Sequence, residues 1–141
     1  MKFTLAAFAS LLAVAQGRIY GISVPETIRP GDTVDVTIIR QNYIQTVYDV
    51  AISIGWAPGD GYPQSLGRVA DSFFLGPKES NKVDNLTKKI TIPADAPKGD
   101  AIITASLMSL YGAVYGPTLS NYNVTVTFGD ATSTVFKSSN Q

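Results

Sequence analysis

Apolar and polar residues alternate in short runs along most of this chain, and proline or glycine separates the runs. The clearest run covers residues 48–56. Its period of two is typical of a β-strand with one buried face. Trp56, the only tryptophan, ends the apolar side of this run, and we predict that it anchors the core. The predicted inward set is Val50, Ile52, Ile54 and Trp56.

Six further runs have the same character, and turn signals such as Pro30-Gly31-Asp32 lie between them. No stretch after the first 17 residues shows a helical period. The pattern predicts an all-β fold, a single immunoglobulin-like antiparallel β-sandwich of about seven strands. Its immunoglobulin-like character rests on the corner between Ile92 and Gly99, although the usual disulfide and corner tyrosine are absent. The predicted strands are 19–24, 33–40, 48–56, 69–75, 86–92, 101–107 and 122–128.

Residues 1–17 have the features of a secretory signal peptide. Lys2 precedes an apolar run that is too short to span a bilayer, which takes about 20 residues. Two small-residue cleavage patterns follow, Ala13-Val14-Ala15 and Ala15-Gln16-Gly17. We favour cleavage before Arg18, with Gln16 as the alternative start. The predicted organisation is a signal peptide at 1–17, a β-sandwich domain at 18–132 and a polar, disordered tail at 133–141.

The chain contains no histidine and no cysteine. This excludes Ser-His-Asp and Cys-His catalysis and imidazole or thiolate metal sites. We therefore predict no enzymatic activity, no cofactor and no metal site. Removing Lys2 with the signal leaves ten basic against eleven acidic side chains. That balance offers no basis for nucleic-acid binding or for attraction to a membrane surface, and we expect a monomer.

Two sequons predict N-glycosylation, at Asn85-Leu-Thr87 and Asn123-Val-Thr125. Asn85 precedes a predicted strand. Asn123 lies on the polar side of the last one. Both side chains are therefore expected at the surface, where a glycan can be attached.

Aromatic and apolar residues flank the long central strand outside its inward set. They are candidates for partner binding, because such residues are favoured both at protein interfaces and on sugar-binding faces. A sugar-binding face would require several coplanar aromatic rings, whereas packing at the edges of the sandwich would leave them without a binding role. The candidates are Tyr43, Ile44, Tyr48, Tyr62 and Leu66.

Three segments of this central region carry a family resemblance: Asn42-Tyr-Ile-Gln-Thr-Val47, Asp49-Val-Ala-Ile52 and Ala57-Pro-Gly-Asp-Gly-Tyr-Pro-Gln-Ser-Leu-Gly67. They resemble the necrosis-inducing secreted protein family, small secreted effectors of plant-infecting fungi. The likeness continues through residues 18–33, 71–77 and 109–112 and covers roughly 18–129.

The resemblance implies a secreted effector that works in the host apoplast or host cytoplasm. Such an effector binds host plant protein kinases, receptor-associated and cytoplasmic, suppresses pattern-triggered immunity and can induce cell death. The alternative is a secreted carbohydrate or cell-wall binding β-sandwich module.

Overall fold

The computed structural model describes residues 16–139, so most of the predicted signal peptide, residues 1–15, lies outside the described residues. Nine strands and one short helix make up this part of the chain. No helix within it is long and apolar enough to cross a bilayer. The elements are β1 (Gly17–Pro25), β2 (Thr27–Ile28), β3 (Thr33–Asn42), β4 (Val47–Pro58), β5 (Arg68–Phe74), α1 (Gly76–Glu79), β6 (Leu86–Thr91), β7 (Gly99–Tyr111), β8 (Gly116–Phe128) and β9 (Phe136–Ser138).

The strands form two sheets that pack face to face. One has four strands in the order β6-β3-β1-β9, and the other has five in the order β2-β8-β7-β4-β5. The pairings are antiparallel except for the short parallel pair β2–β8. The predicted all-β sandwich is confirmed, and each of the seven predicted runs corresponds to a strand. β2 and β9 bring the count to nine among the described residues.

The core lies between the sheets, where alternate side chains of each strand meet. Val36 and Ile38 of β3 belong to the same core cluster as Ile52 and Ile54 of β4, and all four are fully buried. Trp56 is only 2% exposed, which confirms the predicted anchor. The hydroxyl of Tyr122 in β8 donates to the Ile19 carbonyl oxygen of β1 at 3.0 Å and so links the two sheets.

A bulge in β4 corrects one predicted inward residue. Asp49 pairs with Ser109 of β7, and Ala51 pairs with the preceding residue of β7, Met108, so Val50 is an extra residue in β4. A bulge of this kind shifts the alternation of side chains by one position. Val50 is therefore half-exposed rather than inward, and Asp49 takes a buried position on the core side, only 1% exposed.

The polar C-terminal segment, predicted to be a disordered tail, forms β9 and pairs with β1. The Ser139 N–H donates to the Ile22 carbonyl oxygen at 2.8 Å. The Ser139 hydroxyl oxygen accepts from the Ile22 N–H at 3.0 Å. Backbone pairing therefore orders this segment despite its polar composition, and the prediction was wrong for residues 136–139.

Candidate partner-binding surface

The five predicted binding residues lie at opposite ends of β4. Tyr43, Ile44 and Tyr48 are at the β3–β4 turn, whereas Tyr62 and Leu66 are in the β4–β5 loop. A strand advances about 3.3 Å per residue, so the ten steps from Tyr48 to Pro58 span roughly 30 Å. The structure therefore does not bring the five residues into one cluster.

Tyr43 contributes to the packing at its end of the sandwich. Its ring meets that of Tyr111 edge-on, with centroids 5.7 Å apart and an interplanar angle of 89°. The Arg18 guanidinium lies 4.8 Å from the Tyr43 centroid, 4.4 Å from Tyr20 and 5.8 Å from Tyr111. Cation–π attraction of this kind stabilises a desolvated arginine. We call Arg18, Tyr20, Tyr43 and Tyr111 the arginine cage.

A buried carboxylate lies near the cage. Ser109 donates to Asp49 Oδ1 at 2.7 Å, and Asp49 Oδ2 is buried without a hydrogen-bond partner among the described residues. Burial raises the pKa of Asp49, and this effect is opposed by the Ser109 hydrogen bond and by the charge of Arg40. The Asp49 carboxylate is therefore a destabilising group in its charged form.

Arg40 holds the connection between α1 and β6 against β3. It is 4% exposed and forms ion pairs with Glu79 at 3.1 Å and Asp84 at 3.3 Å. Its Nε also donates to the Asp84 carbonyl oxygen. A buried arginine with several acceptors fixes the geometry of the loop that it reaches, so Arg40 holds residues 79–84 in place against β3.

An apolar row crosses the outer face of the five-stranded sheet. Residues that pair across neighbouring strands share a face, and one such row runs from β5 to β8. Its two ends are strongly exposed, Phe74 at 70% and Leu119 at 71%. We call this row, Phe74, Ala51, Met108 and Leu119, the outer apolar row.

A second row, Tyr48, Leu110 and Pro117, lies beside the first and closer to the β3–β4 and β7–β8 turns. The two turns add Ile44, Val114 and Tyr115, which are 90%, 87% and 61% exposed. Ile44 and Tyr48 share a surface depression with Tyr115. Two of the predicted residues, Ile44 and Tyr48, thus belong to a larger exposed apolar area. We call the second row and the residues that the two turns add the hairpin end: Tyr48, Leu110, Pro117, Ile44, Val114 and Tyr115.

Sequence reasoning missed the outer apolar row because its members come from four strands. Leu119 lies outside the predicted strand 122–128, and Met108 lies just past the end of the predicted strand 101–107. Only the strand register places them side by side. The sequence did contain one indication of this row, because the alternation of residues 48–56 already placed Ala51 on the outward face of the strand.

Tyr62 and Leu66 form a separate patch at the far end of the sheet. The Thr104 hydroxyl donates to the Leu66 carbonyl oxygen at 2.8 Å and holds the β4–β5 loop over β7. Tyr62 is 59% exposed. Both lie in a groove that also includes Asn123.

The two sequon asparagines are exposed, as glycosylation requires. Asn123 borders the groove on the outer face of β8. Asn85 lies just before β6, and its Oδ1 accepts from the Arg40 N–H at 3.2 Å. This contact leaves the Asn85 side-chain nitrogen for a glycan, so glycosylation at both positions stays a prediction.

Tyr43, Tyr48 and Tyr62 do not form the flat platform that a carbohydrate module would use. Tyr43 is packed edge-on against Tyr111, and Tyr62 lies at the other end of β4. Residues 16–139 also contain no group of three or more acidic side chains placed to hold a metal ion. The three tyrosines therefore do not supply the coplanar rings that a sugar platform requires.

Comparison with known proteins gives the family. The model of the Nis1 family matches residues 15–127. The chain is 49% identical over 136 residues to Necrosis-inducing secreted protein 1 of Colletotrichum higginsianum, covering 96% of this chain and 94% of the relative. It is 48% identical over 134 residues to the protein of the same name from Colletotrichum orbiculare, covering 94% and 83%. The chain therefore belongs to the Nis1 family of secreted proteins, as its central motifs predicted.

Proposed function

We propose that this secreted protein is an effector that binds host plant protein kinases, suppresses pattern-triggered immunity and induces cell death. The names of the two Colletotrichum relatives support secretion and necrosis induction. Kinase binding, to receptor-associated and cytoplasmic kinases, is what the family resemblance implies. The observation that carries a binding role is the exposed apolar area formed by the hairpin end and the outer apolar row.

The proposed action is binding rather than catalysis. A chain without histidine or cysteine lacks the usual nucleophile–base pairs, whereas occupying a kinase surface requires only a complementary face. An exposed apolar area of this kind marks an interaction site on a soluble protein. Its aromatic members are suited to act as hot spots.

The charge distribution also favours docking through this face. The two apolar rows contain no charged residue, and the next row along the sheet consists of Ser53, Ser72, Ser106 and Asn121. A partner that covers these rows therefore does not have to desolvate an unpaired charge, which would be the costliest part of association.

A binding measurement with a purified receptor-associated kinase domain tests the proposal. The variant Ile44→Asp combined with Leu119→Asp places charge on both parts of the apolar area. Both residues are highly exposed, so the fold should be retained. We expect affinity to fall by about 2 kcal/mol or more, roughly thirtyfold. The matched control is Val135→Asp, a substitution of a 56% exposed valine in the segment before β9.

Each outcome locates the interface differently. Full binding by the folded double variant, with loss of binding in Tyr62→Ala combined with Leu66→Ala, would transfer the contact to the β4–β5 loop. Equal loss in the Val135 control would show a non-specific effect of added charge. Failure of the wild-type protein to bind the kinase domain, together with retention on chitin or glucan, would refute kinase binding in favour of the carbohydrate module.

A further inference from the structure

The sheet ladder begins before Arg18. Gly17 pairs with Asn42 and Arg18 with Gln41, and the same register continues outward to Gln16 opposite Tyr43. The Tyr43 N–H donates to the Gln16 carbonyl oxygen at 2.8 Å. Gln16 therefore takes part in the backbone pairing of this edge of the sheet with the residues that follow β3.

Gly17 is also built into the fold. It is buried, and its N–H donates to Asn81 Oδ1 at 3.4 Å. A Cβ at this position would lie 1.9 Å from the Lys82 carbonyl oxygen, so only glycine fits where the two backbones approach. A chain cut after Gly17 would lose this contact and the hydrogen bond to Gln16.

The two candidate cleavage sites can now be distinguished. Ala13 and Ala15 provide the small residues that signal peptidase requires for cleavage after Ala15, and this cut leaves both Gln16 and Gly17 in the mature chain. We propose that the mature protein begins at Gln16 and that this residue cyclises to pyroglutamate. Gln16 is then a modification site directly before β1.

The cyclisation needs no co-reactant. The free α-amine nitrogen of Gln16 attacks Cδ of its own side-chain amide, and a new N–Cδ bond closes a five-membered lactam. The bond from Cδ to the amide nitrogen breaks, and that nitrogen takes a proton from the amine and leaves as ammonia. The Gln16 carbonyl oxygen, which accepts from Tyr43, is unchanged by the reaction.

The surroundings of Gln16 favour a neutral terminus. An α-ammonium there would be two residues from Arg18 along the chain, and like charges near one another repel. Gln16 also shares a depression with the apolar residues Ile44, Leu110 and Tyr115, against which an uncharged lactam ring can pack. A blocked terminus removes the free amine that aminopeptidases recognise, and so protects the two residues that begin the ladder.

Intact mass and N-terminal sequencing of the secreted protein test the proposal. The full chain is secreted from a fungal host and its N-glycans are removed enzymatically. The expected mass is that of residues 16–141 less one ammonia, with each asparagine that carried a glycan counted as aspartate, because enzymatic release of the glycan converts it. Edman sequencing should fail until pyroglutamyl aminopeptidase is added and should then begin Gly17-Arg18-Ile19. The matched variant Gln16→Ala keeps the cleavage pattern and should give a free terminus that is sequenced directly.

Two results would overturn the proposal. A mature terminus at Arg18 would place cleavage after Gly17, and a terminus at Gln16 that keeps its free amine after prolonged incubation would exclude cyclisation. A comparison of purified chains that begin at Gln16 and at Arg18 tests the structural reason directly. The shorter chain should melt at a lower temperature, and equal melting temperatures would show that Gln16 and Gly17 do not support the fold.

Discussion

Replacing Trp56 with alanine tests the central feature of the fold. The indole ends the inward face of β4 and is 2% exposed. Its ring centroid lies 5.7 Å from that of Phe128, with an interplanar angle of 57°. The Arg68 guanidinium lies 5.5 Å from the Trp56 ring. Trp56→Ala removes all of these contacts and leaves a cavity.

The expected loss is large. Truncating a buried tryptophan to alanine costs about 3–5 kcal/mol, which includes both the lost transfer free energy and the cavity. Domains of this kind have free energies of unfolding of about 5–15 kcal/mol, so the variant would retain little of a modest initial stability. At about 4 °C for each kcal/mol, the melting temperature should fall by roughly 12–20 °C.

Thermal unfolding followed by far-ultraviolet circular dichroism measures this effect. Tyr62→Ala is the matched control, because it also removes an aromatic ring but from a side chain that is 59% exposed. An exposed substitution should change stability by no more than about 0.5 kcal/mol. If Trp56→Ala lowered the melting temperature no more than Tyr62→Ala, the assignment of Trp56 to a core anchor would be refuted.

Two further predictions concern the edges of this core. The pKa of the Asp49 carboxyl group is raised in the folded state, so the folded protein binds a proton there more tightly than the unfolded chain does. The free energy of unfolding therefore falls as pH rises from the ordinary aspartate pKa through the raised one. Asp49→Asn should remove that part of the pH dependence, which melting curves from acidic to neutral pH would measure; parallel curves for the two proteins would contradict it. Deleting residues 136–141 removes β9 and both Ser139–Ile22 bonds, and should cost about 1–3 kcal/mol of stability in denaturant unfolding; an unchanged midpoint would show that β9 adds nothing.

The strands could be predicted wherever apolar and polar residues alternate within one continuous run of the sequence. Residues 33–40 place Val34, Val36 and Ile38 on one side in the sequence, and the structure buries those three side chains. The first half of β8 was missed because Gly116 and Pro117 look like turn residues and Leu119 stands alone. β9 was missed because its order comes from pairing with β1, which its polar composition does not reveal.

The arrangement of the candidate site was less predictable than the strands. Tyr48 and Tyr62 flank one segment in the sequence, but Tyr48 is near the start of the 12-residue strand β4 and Tyr62 follows its end, so the length of the strand separates them in space. The bulge at Val50 could not be predicted from the sequence either. An unbroken alternation of residues 48–56 predicts that Asp49 faces outward, whereas the bulge turns it to the core side. Both outcomes depend on strand length and register with β7, which are properties of the assembled sheet.

The packing under the hairpin end changes how substitutions there should be interpreted. Tyr43 contacts both Arg18 and Tyr111 in the arginine cage, so Tyr43→Ala would disturb the turn that carries Ile44. Any loss of binding in that variant would combine a lost contact with a displaced loop. Ile44 is 90% exposed, and its substitution leaves the cage intact. The contribution of direct contact at this end is therefore measured by substituting Ile44, while Tyr43 reports on how rigidly the cage holds the surface.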